Sequence, residues 1–422
     1  MIRFIFKGLL RDRQRSLLPV IVVVTGVFLT TFLQCWMTGV IGDMISFNAN
    51  FSTGHVKVMT QAYAGRIDQT PNDLALVETD RLTDSLKTAY PDMNWVQRIR
   101  FGGLIDAPDE NGETRSQGPA AGWGIDLLSG NQDEIERMNI KKSLVKGKLP
   151  STAGEVLISN QFAEKLKVVP GDQITLLGST MYGSMTVYNF RVAGTVNFGT
   201  SVLDRGAIIA DIRDVQIALD MPGAAGEILG YFKTGKYDRA QADSDVARFM
   251  ANSDPKNPYA PVMVSLRNQN GLSSMVDYMD MVSVLVIAIF VMAMSLVLWN
   301  AGLLGGLRRY GEVGVRLAMG ESKGLVYRSL IWESILIGLL GSIIGSALGL
   351  SLSFWLQNHG LDVSGFIKNA SMMLPAVFRT EVTPAAFYIG FIPGLFATVI
   401  GTSLAGLGIF KRRTAQLFKE LE

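Results

Sequence analysis

The residues able to do chemistry in this sequence are few. His55 and His359 are the only histidines, and two apolar runs of membrane-spanning length lie between them. A histidine-based triad or a zinc site needs such residues brought together, and no metal-ligand spacing occurs. Cys35 is the single cysteine and sits inside an apolar run, so no intrachain disulfide can form. No G-x-x-x-x-G-K-[ST] loop is present, so the chain does not itself bind ATP through a P-loop. Carboxylates are plentiful, but none forms a catalytic pair, and they read as charges on solvated faces. Glu333 is the one acid near the cytoplasmic end of an apolar run. A proton relay is one reading of an intramembrane acid, and an interfacial ion pair with the nearby Arg328 is the plainer one. No catalytic residue, metal or cofactor is expected in this chain.

One short charged stretch asks for a partner instead. In "LRRYGEVGVRLAMGES", residues 307–322, Val313, Leu317 and Met319 are apolar while Arg309, Glu312, Arg316 and Glu321 are charged. Gly320 suits the end of a helix and Ser322 the cap of the next. The spacing predicts a short amphipathic helix between two apolar runs. Against lipid it is an interfacial turn; against a protein it is a lever, because a push on it moves two helices together.

The elements that position this lever follow from hydropathy. The sequence is 48% hydrophobic and only 18% charged, an apolar balance for a soluble protein, and a few long runs carry the excess. About 20 apolar residues cross a bilayer. Residues 17–41, 281–306, 325–357 and 385–410 qualify, which gives a membrane protein with four transmembrane α-helices. Arg and Lys concentrate in residues 1–16, in 307–324 and in the tail 411–422, whereas the link 358–384 holds only Lys368 and Arg379. Both termini and the charged link are therefore expected in the cytoplasm. Residues 1–16, "MIRFIFKGLLRDRQRS", repeat a basic residue every four positions and fit an amphipathic helix in the headgroup layer. The net charge of +2 gives no case for nucleic acid.

Residues 42–280 form the expected extracytoplasmic insert. Strand-like runs "HVKVM", "EVLIS", "DQITLL", "TVYNFRVAGTV" and "GAIIADI" alternate with amphipathic helical stretches such as "NQFAEKLKV", which starts behind Ser159 or Asn160. The insert reads as α+β, and its length favours two lobes. The third run carries two rows of small residues at helical spacing. One is Gly341, Gly345 and Gly349; the other is Ser334, Gly338, Ser342 and Ser346. Such rows let helices approach closely in lipid.

Taken together, "RRYGEVGVRLAMGES" and the following "LIWESILIGLLGSIIGSALGL" resemble the FtsX-like permeases of ABC transporters, a family that includes MacB-type and lipoprotein-releasing LolC/LolE-type subunits. The insert resembles the family's MacB-like periplasmic domain through "GHVKVMTQAY", "GKLPSTAGEVLISNQFAEKLKVVPGDQITLLG" and "FRVAGTVNFGTSVLDRGAIIADIRDVQIAL". These stretches are closer to the lipoprotein-releasing branch. The resemblance implies a multi-pass protein of the bacterial inner membrane, paired with a second permease, identical or LolC-like. It implies a dimer of separate ABC ATPase subunits, which bind ATP and Mg, and a lipoprotein or lipid-like substrate released from the outer leaflet. The ATPase contacts carried over are Arg309, Glu312, Val313, Arg316, Leu317, Met319 and Gly320. Helix packing falls to Gly338, Gly341, Gly345 and Gly349. A lipid-accepting cavity would be lined by Met44, Phe47 and Phe51 before the insert and by Met275, Tyr278, Met279 and Val282 after it. The long proline-containing hook that recruits a periplasmic carrier in LolC-type subunits has no counterpart here, since "LLGSTMYGSMTVYNF" is short and lacks proline. The same family also contains mechanotransmitters of the FtsX and MacB kind, and that reading stands beside lipoprotein release.

Overall fold

The computed structural model describes residues 13–109, 111–130, 132–199, 201–254, 256–269, 271–362 and 377–411. Most of the expected amino-terminal helix and the tail beyond 411 lie outside the described residues. The chain divides into two compact units, Met1–Gly42 with Met275–Leu361 and Phe378–Glu422, and Asp43–Ser274 with Asp362–Val377.

The first unit is built on the apolar runs. Its helices are α1 (Arg13–Asn48), α2 (Leu272–Ala318), α3 (Lys323–His359) and α4 (Phe391–Lys411). Among the described residues, Leu17–Thr53, Lys323–His359 and Ala386–Gly406 are long and apolar enough to cross a membrane. The second expected span falls within α2, whose apolar stretch Val284–Asn300 is shorter. Val23 and Val27 of α1, Met294 and Leu298 of α2, and Ala397 of α4 share one buried cluster. The link expected as a separate short helix is instead the end of α2, which runs unbroken from Leu272 to Ala318. No proline interrupts it, and glycines alone do not break a helix whose hydrogen bonds are all made internally.

The second unit is a sheet domain. Its strands are β1 (Val56–Thr60), β2 (Met93–Pro108), β3 (Thr114–Ile125), β4 (Leu144–Gly147), β5 (Glu155–Ser159), β6 (Gln173–Ser179), β7 (Met185–Val196), β8 (Ala207–Asp211), β9 (Glu227–Phe232) and β10 (Pro261–Ser265). The hydrogen-bonded order is β10-β1-β9-β2-β3-β8-β5-β7-β4, and β6 bridges β7 back to β2. The ring β2-β3-β8-β5-β7-β6 is therefore closed, which leaves no open edge within it. Alternate residues fill it, among them Ile99, Phe101 and Ile105 of β2, Val156 and Ile158 of β5, and Ile174 and Leu176 of β6. Gly103 makes the tight corner, because a Cβ there would stand 2.6 Å from the Leu177 carbonyl oxygen.

Residues Met93–Arg98 of β2 pair with β9, and Ile99–Pro108 pair with β3, so this one strand belongs to both the barrel and the neighbouring lobe. That lobe has its own core of Val56, Val58, Leu86, Trp95, Ile228 and Met263, roofed by helices Thr79–Ala89 and Arg239–Met250. "EVLIS" and "GAIIADI" are continuous apolar runs because β5 and β8 are covered on both faces. Leu157 and Ile209 point away from the barrel into a further cluster with Phe51, Ile125, Met138 and Phe198. Helix Asn160–Leu166 begins behind Ser159, whose Oγ accepts the Phe162 amide at 3.2 Å.

Candidate functional site

The end of α2 is shaped by local backbone chemistry. Gly320 takes φ +93°. The Glu321 amide donates to the Arg316 carbonyl at 3.0 Å and the Gly320 amide to the Leu317 carbonyl at 3.1 Å, which together satisfy the last carbonyls of the helix. Ser322 then caps α3, its Oγ accepting the Leu325 amide at 3.4 Å. The turn between two long helices is thus only four residues, Met319–Ser322.

Leu317 is half-buried and packs, as Leu330 does, against Val326 of α3, closing the hairpin. Its place is therefore inward, not on the contact face where the sequence reading put it. Arg316 is exposed, with its guanidinium 3.5 Å from the Ser329 hydroxyl, and Met319 is 73% exposed. Val315, not singled out from the sequence, is an exposed apolar side chain beside them; its spacing of four from Met319 was the available signal. Arg309, Glu312 and Val313 lie on α2, and their side chains are outside the described residues.

The two small-residue rows of α3 face two different helices. A Cβ on Gly341 would stand 2.6 Å from Val23 Cγ1, one on Gly345 2.7 Å from the Val24 carbonyl oxygen, and one on Gly349 3.0 Å from Thr31 Cβ, all on α1. A Cβ on Gly338 would stand 2.5 Å from Thr398 Oγ1 and 3.0 Å from the Gly394 carbonyl oxygen of α4. Helix α3 is seated by one row on each neighbour. Between α2 and α4 runs an apolar groove of about 560 Å³, lined by residues including Val284, Met292, Leu296 and Phe396.

The residues expected to line a lipid cavity belong to both units. Met44, Phe47 and Phe51 fall in the sheet unit; Met275, Tyr278, Met279 and Val282 fall in the helical one. Met44 and Tyr278 are exposed, Val282 is half-buried, and the side chains of Met275 and Met279 lie outside the described residues. Phe51 is buried against Phe198, with ring centroids 6.5 Å apart, and the Phe47 ring lies tilted against Phe51 at 4.6 Å. Phe51 is a core side chain of the sheet unit rather than the lining of an open cavity. Its partner Phe198 is remote in sequence, so the local sequence around Phe51 gave no sign of this packing.

The reading of carboxylates as solvated charges fails at Glu134, Glu155, Asp204, Asp211, Asp214 and Glu227, all buried. Some organise loops: Asp211 Oδ2 accepts the Leu127 and Leu128 amides at 3.0 and 3.1 Å. Glu134 and Glu227 anchor a charged cluster. Arg98 grips Glu134 bidentately at 2.7 and 3.2 Å, and Arg137 reaches the same carboxylate. Lys57 lies 3.0 Å and Arg100 3.3 Å from the two oxygens of Glu227. Burial pushes both carboxyls up, but the cations beside them outweigh it and hold each below the ordinary carboxylate range. Burial, partly opposed by Glu227, brings Lys57 down to about 8.

His55 sits at the margin of this cluster. Its Nδ1 accepts the Phe232 amide at 3.0 Å, so the ring is neutral. Burial, with the Arg137 charge, lowers it from 6.5 to about 4. Above pH 6.5 the folded and unfolded rings are both neutral. As pH falls, the unfolded chain takes up the proton first, so stability is lost between pH 6.5 and 4 and levels off below. The span is worth about 3 kcal/mol. Thermal unfolding of the purified chain across that range will show this slope, and His55→Asn, which keeps an acceptor for Phe232, will flatten it. An unchanged slope in the variant would assign it to another group.

The chain thus combines long apolar helices joined by a four-residue turn, small-residue seams between those helices and a sheet domain inserted after the first. Residues 284–413 match the family model described as FtsX-like permease C-terminal. This stretch, from within α2 to the end of α4, is thus similar to the carboxy-terminal domain of FtsX-like permeases, which work with an ABC ATPase. The crystal structure of the periplasmic region of MacB from Actinobacillus actinomycetemcomitans is similar at a TM-score of 0.36 and 10% identity, over 53% of this chain and 94% of that one. A likeness at that level supports no further step. No curated protein matches the sequence.

Proposed function

We propose that this permease uses ATP hydrolysis by a separate ATPase pair to release lipoproteins or similar amphipathic molecules from the outer leaflet of the inner membrane. In this reading the chain crosses the membrane four times, its termini and the α2–α3 turn are cytoplasmic, and the sheet domain is periplasmic. A second permease, identical or LolC-like, completes the complex. The observation that carries the reading is the α2–α3 turn. Its inner face is pinned by Leu317 on Val326, and its outer face offers Val315, Arg316 and Met319 to a partner. A force applied there moves two long helices as one.

Arg316→Glu tests it. The residue is exposed, so the variant inserts normally, keeps ATP hydrolysis within about twofold and loses about tenfold in release, the equivalent of 1.4 kcal/mol at the contact. Unchanged release would remove the turn from the mechanism, and loss of inserted protein would mean the residue is structural.

A second reading, mechanotransmission to an external partner, draws on one observation: Phe47 and Phe51 are packed into the sheet unit, which ties α1 to that unit. Purification from native membranes separates the two. Co-purified triacylated protein supports release, whereas ATPase stimulation only by a soluble periplasmic protein supports mechanotransmission.

A further inference from the structure

Helix α1 is prolonged by one π-helical turn, Ala49–Thr53, before the chain enters β1. The end of a helix leaves its last carbonyls without intrahelical partners. Here side chains of the sheet unit take them. Tyr231 Oη of β9 donates to the Ala49 carbonyl at 2.9 Å and lies 3.4 Å from that of Asn50. Arg100 of β2 donates to the Ser52 carbonyl at 3.2 Å and to the Ser52 hydroxyl at 2.7 Å. Gln269, just after β10, donates to the Thr53 carbonyl at 3.4 Å.

Each principal donor is itself held. The Tyr231 ring lies under the Arg137 guanidinium at 3.9 Å, Arg137 holds Glu134, and Glu134 holds Arg98 on β2. Arg100 is held by Glu227 on β9, which holds Lys57 on β1. Four cations thus surround two carboxylates, and the negative end of the helix dipole is the partner for the excess. A buried ion network adds little net stability over apolar packing of the same volume, but the hydrogen-bonded fork of Arg98 on Glu134 fixes orientation, and the Glu227 pairs add charge contacts beside it. Phe47 and Phe51 already supply the apolar anchor, which alone leaves the helix free to roll.

We propose that Tyr231 and Arg100 are positioning residues that lock the last turn of α1 to the sheet, so that movement of α1 is carried into the sheet unit without loss. The role in transmission rests on the function proposed above; the lock itself does not.

Two measurements on the full chain in its ATPase complex test the two halves. Nitroxides at Ser46→Cys and Thr88→Cys, both exposed positions of the sheet unit, in a Cys35→Ser background, report the lock through the width of their distance distribution. Tyr231→Phe removes the hydroxyl and keeps the ring for Arg137; Arg100→Lys keeps the charge and loses the fork. Each is expected to broaden the distribution, and to lower cargo released per ATP hydrolysed by about fivefold while hydrolysis stays level. Should Arg100→Lys fail to fold, Tyr231→Phe decides alone. An unbroadened distribution overturns the lock. A broadened distribution with an unchanged release ratio overturns its role in transmission. If the unmodified complex releases no cargo, the functional reading fails, and the distance measurement still decides the lock.

Discussion

Gly345→Leu will take the helical unit apart. A Cβ at this position stands 2.7 Å from the Val24 carbonyl oxygen and 2.8 Å from Val27 Cβ. The first of these is backbone of α1 and cannot rotate away, so α3 and α1 must separate to admit even the first carbon. Leucine adds three more carbons to that gap. Overpacking costs about 1–3 kcal/mol where side chains can shift, and more where a helix must move. In lipid no hydrophobic force draws the helices back together, because the tails solvate them equally well. The expected result is a chain that still inserts but, once solubilised, has lost most of its thermal stability and no longer retains its ATPase. Gly324→Leu is the control, since nothing lies within 4 Å of a Cβ there. Equal behaviour of the two variants would mean that the Gly345 row does not hold α1.

Glu134→Ala has the largest expected effect in the sheet unit. It leaves the Arg98 guanidinium, 1% exposed, with neither of its hydrogen-bonded carboxylate oxygens. Removing one partner of a buried pair costs about 3–5 kcal/mol, because the remaining charge is neither hydrated nor paired. For a unit of this size that lowers the unfolding midpoint by about 10 °C. The double variant Arg98→Met with Glu134→Leu recovers most of the loss, since no charge is then stranded. A double variant no better than the single would show that Arg137, rather than Arg98, depends on the carboxylate.

Much of the helical unit was legible because its signals are local or periodic. Gly320 and Ser322 announce the turn through backbone chemistry that needs no tertiary partner. The rows Gly341-Gly345-Gly349 and Ser334-Gly338-Ser342-Ser346 announce two seams, although only the structure tells which neighbour each receives. Continuity of α2 through the charged link was not legible, since charge and glycine in "GGLRRYGEVG" imitate a boundary. In the sheet unit, strand character in "EVLIS" and "GAIIADI" was plain. The buried charges were not. Glu134 lies in "QDEIERM", which has the composition of a solvated helix, and its partner Arg98 comes from a strand remote in sequence. One trace existed: Arg98 and Arg100 are two residues apart in "WVQRIRF", so both project from one face of a strand otherwise rich in apolar residues.

Strand β2 has a consequence for any attempt to exchange parts between permeases. Its first six residues complete the sheet of one lobe, and its remainder is a wall of the barrel. Parting the barrel from its neighbour requires a cut inside β2, between Arg98 and Ile99, which severs one continuous strand. Chimaeras that transplant the barrel alone should therefore be insoluble, while those that move the whole of 43–274 keep both cores closed.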